Sequence, residues 1–215
     1  MTVFTYDHPH RKTFECLTWL NINGVHIERV VAAPWEQRQS PPVFVELDAR
    51  GKKYPHPRDM AEAWGYDYEV IPHTDVRGGD VGVILGAGVL PAEVVDSFSR
   101  GIINIHPGKL PDNRGLDNIK WAVVEGLPQV ITAHWIDERI DRGAFICDEV
   151  VPVYAGDTLQ MVHDRLMTYQ AGVLLRALDL IDGIGKGTYH TTMDIETEKG
   201  MAAGFEAYKR NLYSV

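Results

Sequence analysis

Cysteine is nearly absent from this chain. Cys16 and Cys147 are the only two, they stand far apart, and neither has a partner at metal-ligand spacing. A disulfide framework and a cysteine-based metal centre are thereby excluded, leaving two reduced core thiols in a cytoplasmic protein. Positive charge is also scarce: 21 Lys and Arg stand against 30 Asp and Glu, a formal net charge of -9. Phosphate neutralisation needs clustered bases, so a broad nucleic-acid surface is not expected, although one local basic pocket is still allowed. No run of about 18 apolar residues occurs, and no basic segment with an apolar stretch opens the chain. The expectation is a protein without a membrane partner that stays where it is made. Internal repeats and low-complexity segments are lacking too.

What is present is an ordinary globular composition, 45% hydrophobic and 24% charged over 215 residues, enough for one sizeable core. Val3-Phe4-Thr5-Tyr6 is β-prone, and Phe14, Leu17, Trp19 and Leu20 then fall on or near one helical face before Asn23-Gly24. Residues 27–33 read as a strand, the proline-rich 34–57 as a long connection with a short helix near Phe44 to Leu47, 58–64 as a helix and 67–71 as a strand. Val81 to Leu85 is a continuous apolar run of the kind buried on both faces of a parallel sheet. A short helix over 91–98, a buried strand over 102–105, a helix over 118–125 and strands over 129–136 and 144–153 follow. A long amphipathic helix over 158–181, capped at Asp157-Thr158, closes the series. Its Met161, Leu166, Leu174, Leu175 and Leu178 read as a core-facing stripe. Alternating strands and helices predict an α/β, Rossmann-like three-layer fold with a largely parallel central sheet. The expected division is a catalytic domain over 1–182 and a C-terminal tail over 183–215.

The chemistry concentrates between Gly101 and Ile146. Asn104 and His106 are two apart at the end of a buried strand, so their side chains share a face. Carboxyl ends of strands are where open α/β sheets bind ligands. Asn supplies a neutral donor for an oxyanion, and His a group that carries a proton near neutral pH. Asp141 lies in the turn-rich loop Asp137-Glu138-Arg139-Ile140-Asp141-Arg142-Gly143, from which its carboxylate can return beside the His. Singly, each residue also fits a structural role: a hydrogen-bonded strand-end His, a turn-forming Asp, a loop-capping Asn.

The run Asn104-Ile-His-Pro-Gly-Lys-Leu-Pro-Asp-Asn-Arg-Gly115, with Trp121, Glu125-Gly126, Thr132-Ala-His-Trp-Ile-Asp137 and Ile140-Asp-Arg-Gly143, resembles the catalytic core of the folate-dependent formyltransferases. That family includes glycinamide ribonucleotide, methionyl-tRNA and sugar-amine N-formyltransferases. The resemblance implies that Asn104 donates to the formyl oxygen, His106 assists deprotonation of the attacking amine, and Asp141 partners His106. It implies N10-formyltetrahydrofolate as co-substrate and direct transfer without a metal. It also implies a pterin site at Gly86, Gly88, Val89 and Leu90, with Asp137, Glu138, Arg139 and Ile140 opposite, although Gly86-Ala87-Gly88 also fits a plain strand-to-helix turn. The dinucleotide glycine pattern is incomplete there, which disfavours a nicotinamide site.

The resemblance thins in three places. Where the purine-pathway members carry a glycine-rich phosphate loop, this chain reads Asp7-His8-Pro9-His10-Arg11-Lys12. The methionyl-tRNA members carry a C-terminal β-rich domain, for which the sequence leaves little room, and the acidic balance argues the same way. The Asn113-Arg114-Gly115 block with Trp121 is closest to the small sugar-amine branch, but the C-terminal extension that branch often carries is expected to be short or absent here. A small-molecule amine, a nucleotide-linked amino sugar foremost, is the expected acceptor, with an amino-acid or other natural-product amine as the alternative. His8, Arg11, Lys12, Arg114 and Trp121 are its candidate contacts, against the alternative of a solvated first helical turn for the first three. His8 and His10 lack a third ligand at metal spacing. The apolar stretch from Met201 to Tyr213 makes a homodimer one expected arrangement. A formyltetrahydrofolate hydrolase and a folate-binding protein without turnover are the competing readings.

Overall fold

A computed structural model describes residues 1–36, 45, 47, 53–137 and 141–183, with the side chains of 182 and 183 left aside. The order is β1 (Thr2–Tyr6), α1 (Arg11–Ile22), β2 (Arg29–Ala33), α2 (Pro57–Trp64), β3 (Asp67–Val70), β4 (Gly79–Ile84), α3 (Ala92–Val95), β5 (Phe98–His106), α4 (Asn118–Glu125), β6 (Val130–Trp135), β7 (Phe145–Val150) and α5 (Leu159–Gly183). The strands form one sheet in the order β3-β2-β1-β4-β5-β6-β7. Its first five strands are parallel, and β6 runs antiparallel to both β5 and β7. The largely parallel α/β sheet expected from the sequence is therefore what the chain forms.

The two-residue period of each strand divides the core. Val3, Val30, Ile103 and Ile105 face one layer, where Leu17, Leu20, Met60, Leu166 and Leu174 of α1, α2 and α5 cover them. Phe4, Val31 and Ile102 face the opposite layer with Leu90, Val94 and Phe98. Burying a side chain of this size contributes about 1.5–3 kcal/mol relative to leaving it in water, so both layers hold the sheet flat against its helices. The strand order reverses direction beside β1, which opens a crevice at the carboxyl ends of β1 and β4.

The expected helix over 91–98 is shorter than read: α3 ends at Val95, and Phe98 instead opens β5, opposite Gly79 of β4. The reason is packing, because Phe98 is buried with its ring 5.7 Å from that of Phe4. α5 starts one residue after Thr158, whose Oγ1 accepts from the Met161 N–H at 3.2 Å, as a cap should. The short helix expected near 44–47 and the tail over 184–215 lie outside the described residues.

Candidate active site

β5 carries Asn104 and His106 to its carboxyl end. Ile84, the last residue of β4, pairs with Asn104, so the Gly86 loop leaves β4 directly beside it. On the other flank β6 pairs antiparallel with β5 in the register Asn104↔His134 and His106↔Thr132. That register brings a fourth polar side chain to the site. His134 Nε2 lies 3.3 Å from Asn104 Nδ2, and its Nδ1 lies 2.9 Å from the Trp135 carbonyl. The carbonyl can only accept, so the proton sits on Nδ1 and Nε2 accepts from Asn104. One Asn104 N–H is thereby held, which aims the amide and leaves its second N–H for a ligand.

His106 is 3% exposed, and its Nε2 donates to the Asn113 carbonyl at 2.7 Å. The lone pair of the neutral ring is then on Nδ1, which faces Asp141 Oδ2 at 3.4 Å. Asn113 is itself fixed by Asn118: its Nδ2 donates to the Asn118 backbone carbonyl at 2.8 Å, and its Oδ1 accepts from Asn118 Nδ2 at 2.9 Å. Gly108 makes this closeness possible, since a Cβ there would sit 2.6 Å from the Asn113 carbonyl and 2.8 Å from His106 Nε2. Thr132 Oγ1 donates to the Gly108 carbonyl at 2.8 Å and ties the loop down.

Asp141 closes the group. Its carboxylate also approaches His134 Nε2 at 3.6 Å and accepts from the Gly115 N–H at 3.0 Å, while Arg114 Nε donates to its backbone carbonyl at 3.0 Å. Its φ of +50° is a left-handed conformation that Asp adopts more readily than most residues. Burial pushes the Asp141 carboxyl up, but the His106 ring and the Gly115 N–H beside it oppose this, and the balance holds it below the usual range. Burial pushes His106 down more strongly than Asp141 and the Asn113 carbonyl raise it, so its ring stays neutral at lower pH than an exposed His. A neutral base with its lone pair beside a carboxylate is equipped to take a proton and hold it as an ion pair. A cleft of about 160 Å³ opens here, lined by Leu110, Arg114, Thr132, His134, Asp141 and Phe145 among others.

The other sequence-derived positions divide. Arg114 joins the site through Asp141. Trp121 is half exposed on α4 and is not among the residues lining the cleft. His8 stacks on Trp35 at 4.6 Å. Arg11 donates to Glu15 at 2.8 Å and pairs with Asp164 of α5, so its guanidinium is engaged in helix packing. Lys12 parts from it and donates from Nζ to the Ile105 carbonyl at 2.8 Å. Gly86 packs against Tyr6, where a Cβ would stand 3.0 Å from the ring, whereas the space about Gly88 is open and Val89 is exposed. An open backbone stretch of this kind fits a flat ring hydrogen-bonded by peptide groups. Leu90 points into the core. Asp137 follows β6, and Glu138, Arg139 and Ile140 lie outside the described residues. Sequence reasoning missed His134 and Asn118 as site residues. The two-residue period of β6 turns His134 and Trp135 to opposite faces, but only the register says which residue meets Asn104.

The sequence profile of the formyl transferase family matches residues 36–178. Methionyl-tRNA formyltransferase from Syntrophus aciditrophicus (strain SB) is 28% identical over 173 residues, covering 74% of this chain and 52% of that protein. The chain thus spans about half the length of this curated relative. Among solved structures, phosphoribosylglycinamide formyltransferase from Anaplasma phagocytophilum superposes with a TM-score of 0.62 at 21% identity, over 90% of this chain and 94% of that one. A sugar N-formyltransferase from Shewanella sp. FDAARGOS_354 gives 0.59 at 21%, over 89% and 74%. The structural likenesses carry the fold, and the three names carry three different acceptors.

Proposed function

Because this chain belongs to the formyl transferase family, we propose that it moves a formyl group from N10-formyltetrahydrofolate to the primary amine of a small molecule, a nucleotide-linked amino sugar being the favoured acceptor. The observation that carries the reading is the convergence of Asn104, His106 and Asp141 at one strand end, with His106 Nδ1 aimed at the carboxylate. The folate supplies the formyl carbon and, at N10, the leaving group. Asn104 donates its free N–H to the formyl oxygen as the amine attacks and that oxygen becomes an anion. His106 takes the proton released by the amine at Nδ1, and Asp141 stabilises the imidazolium. The same proton then passes to N10 as its bond to carbon breaks and the oxyanion collapses to the amide. No covalent enzyme intermediate is needed.

The acceptor rests on narrower ground. The loop after β1 is not glycine-rich, Asp7 in it is occupied by Tyr68 and Arg58, and Arg11 is tied to α5. This supports an acceptor other than one gripped by a phosphate loop at that place. The Asn113-Arg114-Gly115 block supports the amino-sugar branch. A tRNA acceptor, which the name of the curated relative carries, is the comparison arm of the test. Tetrahydrofolate release is followed by absorbance with a nucleotide-linked amino sugar, a free amino sugar, N-hydroxyornithine, glycinamide ribonucleotide, initiator methionyl-tRNA and no amine. Release that requires the nucleotide-linked amino sugar is expected. Release only with the tRNA would overturn the acceptor, and release without any amine would make the protein a hydrolase.

A further inference from the structure

Among the described residues Lys12 is the lysine drawn under the site, and the sheet explains why it goes there. The backbone carbonyls of β5 alternate in direction. That of Ile102 accepts from Ile136 N–H on the β6 side, so that of Ile105, three residues on, faces β4. The β4 register stops at Ile84↔Asn104, and β4 then turns toward β1, where the Leu85 and Gly86 N–H groups both donate to the Phe4 carbonyl. The ladder therefore offers Ile105 nothing on that flank. Lys12, from the first turn of α1, reaches across the crevice between β1 and β4 and supplies the missing donor at 2.8 Å. Its ammonium is thus bonded to the peptide between Ile105 and His106, at the strand end that also carries Asn104.

The charge is as informative as the bond. Asp141 stands within 3.6 Å of two imidazoles, His106 and His134. A carboxylate in that position draws a proton toward His106 against the burial that keeps the ring neutral, and a His that is already an imidazolium cannot accept the proton of an amine. The Lys12 ammonium interacts with both members of the pair, favourably with Asp141 and unfavourably with the His106 cation. Among the described residues the other groups facing this cluster are His134 from β6, the Arg114 guanidinium on the Asp141 carbonyl, Arg142 at the cleft rim, and Cys16 one turn along α1. Burial pushes the Cys16 thiol up to about 12, so it stays neutral.

We propose that Lys12 is a positioning residue of the transfer reaction: it fixes the strand end that carries Asn104 and His106, and its charge adds to burial in opposing Asp141, so that His106 stays neutral until the substrate proton arrives. The proposal rests on the formyl-transfer reading of this site, but its first test needs no acceptor. The His106 ring is followed by proton NMR across pH in the wild type, in Lys12→Met, and in Lys12→Gln, which keeps a donor without the charge. The His106 midpoint is expected to move to higher pH in both variants. Burial pushes the Lys12 amine down, and the wild-type His106 signal is also expected to show a second, smaller inflection where that amine, followed on its own side chain, loses its proton. That inflection decides the matter if neither variant folds. An unchanged midpoint, or a wild-type curve without the second inflection, overturns the proposal, and a lowered Tm alone counts as a structural role and overturns it too. With an acceptor in hand, kcat of Lys12→Met is expected to fall roughly 10- to 100-fold, as small misplacements of reacting groups do, with KM for the folate little changed. Failure of every amine to react would sink the functional reading and leave the titration result standing.

Discussion

His106 has to accept a proton while buried, and burial is what disfavours its charged form. His73, buried against the Val31 carbonyl, is held below the usual His value for the same first reason. For both residues the unfolded chain binds a proton at a pH where the native one does not. Stability therefore rises with pH through that window and is lost as pH falls below the ordinary His value of 6.5. Asp141, with its carboxyl held down, adds a loss of the same sign at still lower pH. Thermal unfolding followed from about pH 7 to pH 5 is expected to show a falling Tm, with a shallower fall in His73→Gln. Gly143 is the second residue to test. A Cβ there would stand 1.6 Å from the Trp135 carbonyl, a contact with rigid backbone that no rotamer relieves. Gly143→Ala should displace the Asp141 loop, abolishing turnover at a cost of about 1–3 kcal/mol in denaturant unfolding; wild-type activity in this variant would contradict the geometry. The pairing of Asn104 with His106 was legible from spacing alone, because a strand repeats every two residues. His134 was not, because its role depends on which residue of β5 it faces across an antiparallel ladder.

At the scale of elements, the β4–β5 pair and the helix that covers it do most of the positioning. The apolar run over 81–85 announced β4 without ambiguity, and the run over 102–105 announced the second half of β5. Its first half, Phe98 to Gly101, is partly polar and carries no such signal. It is strand because Phe98 fills the layer beside Phe4. α1 shows the same division. Its apolar face was readable, but the partners of its two leading bases were not, because Arg11 answers to Asp164, 153 residues away. Arg11→Ala breaks that pair and its bond to Glu15. The guanidinium is buried and Asp164 about a third exposed, so the expected loss is about 1–3 kcal/mol, below that of a fully buried pair. Urea unfolding measures that loss, and the acceptor KM is expected to stay within twofold. A large rise in KM with unchanged stability would return Arg11 to the substrate.

The whole molecule places its reacting groups where an open α/β sheet offers a crevice, and it does so with a sheet whose central strands are buried on both faces. Fold class was legible because near-continuous apolar strands alternate with amphipathic helices, a pattern that few architectures satisfy. The antiparallel turn at β6 was not legible, since direction leaves no mark on a strand's composition. It matters for function: β6 returns beside β5, and the loop that leaves β6 carries Asp141 back over the site. Among the described residues no helix is long and apolar enough to cross a membrane. The central claim is that Asn104, His106 and Asp141 carry out the transfer rather than merely hold the fold together. The most direct test compares Asn104→Ala with the wild type for kcat, for the dissociation constant of a formylfolate analogue, and for Tm. Loss of one oxyanion donor predicts kcat lower by about 100- to 1,000-fold, with binding and Tm nearly unchanged. Full turnover in the variant, or loss of activity that only tracks loss of folding, would contradict the account.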